Sequence, residues 1–383
     1  VSDFTPAACF WLGASALLYA YLGYPALVGV RARKGSPALL GDQRPHVSVI
    51  VAAFNEERMI GRKVANVLAQ LTDDDQIIVV SDGSTDGTEA AVARWRDPRV
   101  RLIRQERRLG KNAALNLGAE MARGRILVFT DANAMLAHKT LERLLYPFAD
   151  PAVGLVSGLG LYGQVEDTDL RLAASAYVRY EAAIRRGEAA LGFMAGVDGA
   201  LYAMRRELFQ ELPIDQVHDL LHPIQVALAG RQTAFVPEAV TFEPPSADAA
   251  GEWRRQVRII AQGFRVLAVT VPVLLSRGRL RELWMLVSHR LLRWIGSLLA
   301  LLALVGNLFL LDAHPGYQVL LGLQVSFFVM AALGALGERF SLRLRALALP
   351  YLFCVVSCAG LVGLVEALRG RAYTLWATGE RPA

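Results

Sequence analysis

HVSVIVAAFNEE (46–57), QIIVVSDGSTDG (76–87) and RILVFTDANA (125–134) share one pattern: an apolar, β-branched run that stops on small or oxygen-bearing residues. RVRLI (99–103) and VGLVSG (153–158) add two further runs, and stretches such as 57–71 and 111–123 have helical periodicity between them. Unbroken apolar runs suit strands buried on both faces. Their alternation with helices predicts an α/β domain with a doubly wound, mostly parallel sheet. Ligands of such sheets sit beyond the carboxyl ends of the strands, and the polar motifs fall there.

The rest of the 383 residues has a different character. Hydrophobic residues make up 54% and mean hydropathy is +0.33, too apolar for an ordinary soluble enzyme, with the excess at the two ends. Residues 7–30 carry no charge over a bilayer-spanning length, and Asp3 rather than a basic start precedes them, so a membrane helix is expected instead of a secretory signal. Arg31, Arg33 and Lys34 follow. By the positive-inside rule the next domain is cytoplasmic, in a multi-pass inner-membrane protein. After Gly251 the chain is basic and amphipathic, which suits interfacial helices. Three apolar segments come next, near 288–311, 317–337 and 346–367.

The expected organisation is an N-terminal membrane helix (1–34), an α/β domain (46–250), interfacial helices (251–282) and a C-terminal membrane region (283–383). The linker 312–316 should face outward and that around Arg339, Arg343 and Arg345 inward. The last segment would then leave Arg369 and Arg371 outside, so either it does not cross fully or the tail breaks the rule. The net charge of +6 resides in arginines beside apolar runs, which points to membrane lipids and away from nucleic acid. Cys9, Cys354 and Cys358 all lie in apolar segments, which gives neither a disulfide framework nor a zinc site.

At the strand ends, Asp82 follows a buried run and is placed to accept hydrogen bonds from a nucleobase or ribose, while Gly83 lets the backbone approach. Asp86 reads as a helix N-cap. Lys111 opens a helix after Gly110, where it adds charge to a dipole that attracts phosphate; a solvated lysine fits the sequence equally well. Asp131 and Asn133, one residue apart beyond a buried strand, can hold a hard divalent cation, Mg2+ or Mn2+, against a diphosphate. The bland alternative is an Asx-turn and a cap for a helix beginning near His138. His218, Asp219 and His222 could form a zinc cluster, but no third strong ligand is near and Pro223 interrupts the helix.

Together, AAFNEE (52–57), SDGSTDGT (81–88), GKNAALN (110–116), FTDANA (129–134), GVDGALYAMRREL (196–208), HDLLHPIQVALAG (218–230), RRQVRII (254–260) and SHRLLRW (288–294) resemble the inverting glycosyltransferases of family 2, the group that includes cellulose, hyaluronan and poly-N-acetylglucosamine synthases. The resemblance implies a glycosyltransferase-A fold inserted between transmembrane helices. It further implies that Ala52, Asn55, Glu57 and Asp82 line the nucleotide pocket and that Lys111 approaches the donor diphosphate. Asp131 and Asn133 stand at the family's Asp-x-Asp position, with asparagine replacing the second aspartate. Asp198 and Gly199 match an acceptor-side element. Asp219 matches the general base, with His218 where an acidic residue usually precedes it. Arg255 and Arg258 match the diphosphate-holding element, although Ile259 replaces the tryptophan that stacks on acceptor sugar in processive synthases. The bland alternative for these arginines is a basic helix facing lipid headgroups.

The expected function is inverting transfer from a nucleotide-sugar, a UDP-sugar by resemblance, to a growing polysaccharide or lipid-linked glycan. A homo-oligomer or an export partner would complete the route. The alternative is a degenerate transferase serving as a membrane scaffold. A dinucleotide-dependent dehydrogenase is disfavoured because no GxGxxG turn follows the first strand.

Overall fold

The structure, a computed structural model, describes residues 4–32, 44–163, 176–244, 249–339 and 345–375. Arg33, Lys34 and Arg343 of the expected topogenic clusters lie outside the described residues. The chain divides into two compact units: Leu27–Asp248 with Arg265–Leu283 and Ala372–Ala383, and Val1–Ala26 with Ala249–Phe264 and Trp284–Arg371.

The first unit is built on one eight-stranded sheet of β1 (Val47–Ala53), β2 (Gln76–Asp82), β3 (Val100–Gln105), β4 (Ile126–Thr130), β5 (Met135–Leu136), β6 (Val153–Tyr162), β7 (Leu201–Arg205) and β8 (Gln232–Glu243), in the order β3-β2-β1-β4-β7-β6-β8-β5. β3, β2, β1 and β4 pair in parallel. β7 is antiparallel to both β4 and β6, β6 is parallel to β8, and β5 is antiparallel to β8. The sheet is therefore mixed, with its parallel half where the sequence reads as continuous apolar runs. Every residue of β1, β2 and β4 is buried, as strands covered on both faces require. The Glu57–Leu68 helix turns Ile60, Val64 and Val67 into the core formed by Val47, Val49, Ile77 and Val79.

The second unit is helical. Thr5–Val30 (in part), Trp253–Ser276 (in part), Pro315–Gly337 and Leu349–Leu368 are long and apolar enough to cross a membrane, and Leu280–Trp294 with Gly296–Leu308 forms a further pair bent by 67°. Within it, the Phe4–Leu18 and Gly296–Leu308 helices meet at glycines: a Cβ on Gly13 would strike the backbone of Leu299 and Ala303, and one on Gly306 would lie 2.6 Å from Phe10 N. Close backbone approach through small residues is how helices associate where no hydrophobic gain is on offer. Polar side chains are paired, with Tyr19 Oη 2.8 Å from Ser288 Oγ and Asn307 Nδ2 donating to Gln324 Oε1 at 2.9 Å. Trp294 is buried against Gly263 and Phe264.

Candidate active site

The loops after β1 and β2 are laced together. Asn55 adopts φ +53°, a conformation asparagine tolerates better than most residues, and its Oδ1 accepts from Thr85 N at 2.8 Å. Glu57 Oε2 accepts from Gly87 N at 3.0 Å, while Glu57 N donates back to Asp86 Oδ2 at 3.1 Å. Asp86 Oδ1 accepts from both Thr88 N (3.0 Å) and Thr88 Oγ1 (2.5 Å). Partial burial opposes its ionisation, but the hydrogen bonds from Thr88 and Glu57 prevail and hold its pKa below the ordinary value. Ala52 is buried at the end of β1.

Asp82 is fully buried, and both of its oxygens serve one loop: Oδ1 accepts from Leu109 N at 2.7 Å and Oδ2 from Gly110 N at 3.0 Å. Gly110 then takes φ +102° and leads into the Lys111–Glu120 helix. Gly83 has φ +68°, and a Cβ there would stand 2.9 Å from Arg108 N, so glycine is required twice over.

At the start of that helix Lys111 Nζ lies 2.6 Å from Asp131 Oδ1, with both side chains partly exposed. Asn112 donates to Pro213 O (2.6 Å) and Gln216 O (2.7 Å), and Asn116 exchanges two 2.9 Å hydrogen bonds with the Leu212 backbone. The GKNAALN motif therefore faces the Asp131 turn with its lysine and fastens the 212–216 segment with its asparagines.

The Asp131–Asn133 turn is braced from below by Lys63, which sequence reasoning missed. Its Nζ is wholly buried and donates to Thr130 Oγ1 (2.8 Å) and to the Ala134 carbonyl. Burial pulls its pKa down to about 7, against the opposing pull of the Asp131 and Glu243 carboxylates. The available signal was a lysine on the apolar stripe Ile60, Val64 and Val67.

The other rim is formed by the His218–Leu228 helix, with Asp219 in its first turn, where the dipole favours a carboxylate. Pro223 has no N–H to give to the carbonyl four residues back. That carbonyl, Asp219 O, instead accepts from Val197 N at 2.9 Å, which fastens the base helix to the GVDG loop. In this loop Asp198 Oδ2 accepts from Gly160 N (2.8 Å) and faces Arg185 (3.3 Å). A Cβ on Gly199 would lie 3.1 Å from Asp219 Oδ2 and 3.5 Å from His218 Cε1, so both side chains pack closely against this glycine.

Behind them, Tyr202 of β7 stacks on Phe129 at 4.9 Å, and its hydroxyl reaches His218 Nδ1 and His222 Nδ1. Both histidines are thus engaged by one tyrosine, not by a zinc-like cluster. Burial first, then the Asp219 and Asp131 carboxylates, raise the Tyr202 pKa well above its ordinary value. Arg255 and Arg258 lie on the part of the Ala249–Ser276 helix that belongs to the helical unit.

Asp131 and Asn133 offer hard oxygens, and among the described residues no group of three or more His, Cys, Asp or Glu is placed to hold a metal alone.

The family described as "Glycosyl transferase family 2" matches residues 48–212. The chain is 38% identical over 104 residues to a succinoglycan biosynthesis protein, ExoO, of Rhizobium meliloti, covering 27% of this chain and 30% of that protein. It is 22% identical over 238 residues to a poly-beta-1,6-N-acetyl-D-glucosamine synthase of Staphylococcus aureus, covering 60% of this chain and 58% of that one. The matched region spans only about a third of the first such relatives. Among solved structures, a mannosyltransferase of Pyrobaculum calidifontis in complex with GDP-Man and Mn2+ superposes with a TM-score of 0.67 at 24% identity, over 94% of this chain and 99% of that one. The mixed sheet and its strand-end loops thus have the glycosyltransferase-A fold, and residues 48–212 within it are similar to the glycosyl transferases of family 2.

Proposed function

We propose that the protein transfers a sugar, with inversion, from a nucleotide-sugar to a hydroxyl of a glycan or lipid-linked acceptor, at the cytoplasmic face of the inner membrane. The observation that carries this reading is the placement of Asp131 just beyond β4, where Lys111 Nζ reaches it at 2.6 Å, and of Asp219 in the first turn of the His218–Leu228 helix, against Gly199. The Asp219 carboxylate takes the proton of the acceptor hydroxyl as that oxygen attacks the anomeric carbon opposite the departing diphosphate. A single displacement inverts the centre without a covalent sugar–enzyme intermediate.

Asp131 and Asn133 would hold a divalent cation, which supplies charge neutralisation to the departing diphosphate. Lys111 adds its own charge there and, with the donor absent, pairs with Asp131. Ala52, Asn55, Glu57 and Asp82 shape the nucleotide side and Asp198, Gly199 and His218 the acceptor side, while the role of Arg255 and Arg258 at the diphosphate is what the family resemblance implies. The relatives named for succinoglycan biosynthesis and poly-beta-1,6-N-acetyl-D-glucosamine synthesis support a polysaccharide product, and the family resemblance implies a UDP-sugar as donor.

The test is nucleotide release in nanodiscs from a panel of UDP- and GDP-sugars with Mg2+, Mn2+ or chelator, followed by sizing of the product. Release from one donor that chelator and Asp131→Ala both abolish is expected. Full activity in chelator would remove the cation from the reading. No turnover of any donor, with or without added acceptor, would favour a partner-dependent or scaffolding subunit.

A further inference from the structure

The polar cluster behind Asp219 has more hydrogen-bonding nitrogens than protons to share. The Tyr202 hydroxyl lies 3.1 Å from His218 Nδ1 and 2.9 Å from His222 Nδ1. A hydroxyl has one proton, so it can donate to only one of them. The other contact is a hydrogen bond only if that imidazole carries its own proton on Nδ1.

His222 decides which. It is fully buried, and its Nε2 has no hydrogen-bond partner among the described residues. Burial depresses its pKa to about 3, so the ring is neutral and carries a single proton. On Nε2 that proton would be an orphaned buried donor, the rarer kind of unsatisfied group in folded proteins. On Nδ1 it is donated to Tyr202 Oη. Tyr202 then donates its proton to His218 Nδ1, and His218 keeps its own on Nε2.

We infer that Tyr202 and His222 are positioning residues that hold His218 as its Nε2–H tautomer beside Asp219, so that His218 offers the acceptor hydroxyl a hydrogen-bond donor and not a second base. The inference rests on the transfer reaction proposed above. His218 Cε1 and Asp219 Oδ2 both approach Gly199, 3.5 Å and 3.1 Å from where its Cβ would stand, and so edge one corner of the site. An acceptor hydroxyl seated there gives its proton to Asp219, receives one hydrogen bond from His218 Nε2–H, and directs its remaining lone pair at the anomeric carbon. The ordering is set from a distance: the His222 proton fixes Tyr202, and Tyr202 fixes His218. Stacking of Tyr202 on His218 (19° between planes) and on Phe129 of β4 keeps the rings in register.

The test begins with histidine-15N spectra of the full-length protein in membranes, with the two rings assigned by loss of signal in His218→Gln and His222→Leu. The expected spectrum has His218 protonated on Nε2 and His222 on Nδ1. The reverse assignment, in a protein that turns over donor, overturns the inference and leaves the proposed function standing. Conversely, a wild type that turns over no donor removes the proposed function, and the spectrum still decides the tautomers.

Kinetics supply the second arm. Tyr202→Phe and His222→Leu should each lower kcat about tenfold, the worth of one hydrogen bond, and raise the acceptor KM while the donor KM holds. His222→Asn, whose amide can donate from the Nδ1 position, should recover most of the loss. Equal loss in the leucine and asparagine variants, or a parallel rise in donor KM, would mean that the cluster only packs.

Discussion

The donor rim and the base rim of the site satisfy their polar groups in opposite ways. In the donor rim, Asn55, Glu57, Asp82 and Asp86 spend their oxygens on backbone N–H groups of neighbouring loops. Each such bond is local, and several run in parallel across the same gap. In the base rim, Tyr202, His218 and His222 partner one another through a single hydroxyl inside an aromatic stack. A laced rim should lose function by degrees, whereas a relay should lose it as a unit.

The largest expected effect that separates the rims is at Asp219. Asp219→Asn should cut kcat by about 10²–10⁴, the usual worth of a general base, with donor affinity by calorimetry unchanged. A matching loss of donor affinity would erase the distinction between rims. Next comes Asp82→Asn, which keeps one acceptor oxygen and turns an amide N–H toward a backbone donor. It should cost about 1.5–3 kcal/mol of stability by denaturant titration and raise the donor KM. Turnover at saturating donor should remain near wild type.

Smaller still is Gly199→Ala, whose methyl would sit 3.1 Å from Asp219 Oδ2. A rise of about threefold to tenfold in the acceptor KM, with the donor KM fixed, is expected from crowding of that order. The smallest effect is a pH slope. Burial lowers the Lys63 pKa to about 7, below its ordinary 10.5. Between those values the folded protein binds fewer protons than the unfolded chain, so stability should climb as pH rises through this window. Comparing denaturant midpoints of wild type and Lys63→Met across that range isolates the term, since the variant should be flatter.

The sequence discloses these rims unequally. β1, β2 and β4 are plain as apolar runs because both of their faces are covered. β8 is not, because Pro237 falls within it and its pairing with β6 shifts register there, between Ser157 and Leu159. β7 is five residues long and hidden in a stretch legible only as a motif. Asp131, Lys111 and Asp219 stand out through their positions after strands and at helix starts. Lys63, Tyr202 and His222 do not, because their importance lies in partners 67, 16 and 20 residues away that only the folded chain brings near. Nor can spacing tell that the Asp82 carboxylate is turned toward its own protein's Leu109 and Gly110 amides.

The two asparagines of the GKNAALN helix carry a consequence for the order in which the enzyme is made. Asn112 and Asn116 close on backbone 104 and 96 residues downstream. Strands β1 to β4 can pair as soon as they leave the ribosome, yet the 212–216 segment that these asparagines grip has still to be synthesised. A nascent chain therefore acquires the parallel half of its sheet first, and the 212–216 segment arrives later to be gripped.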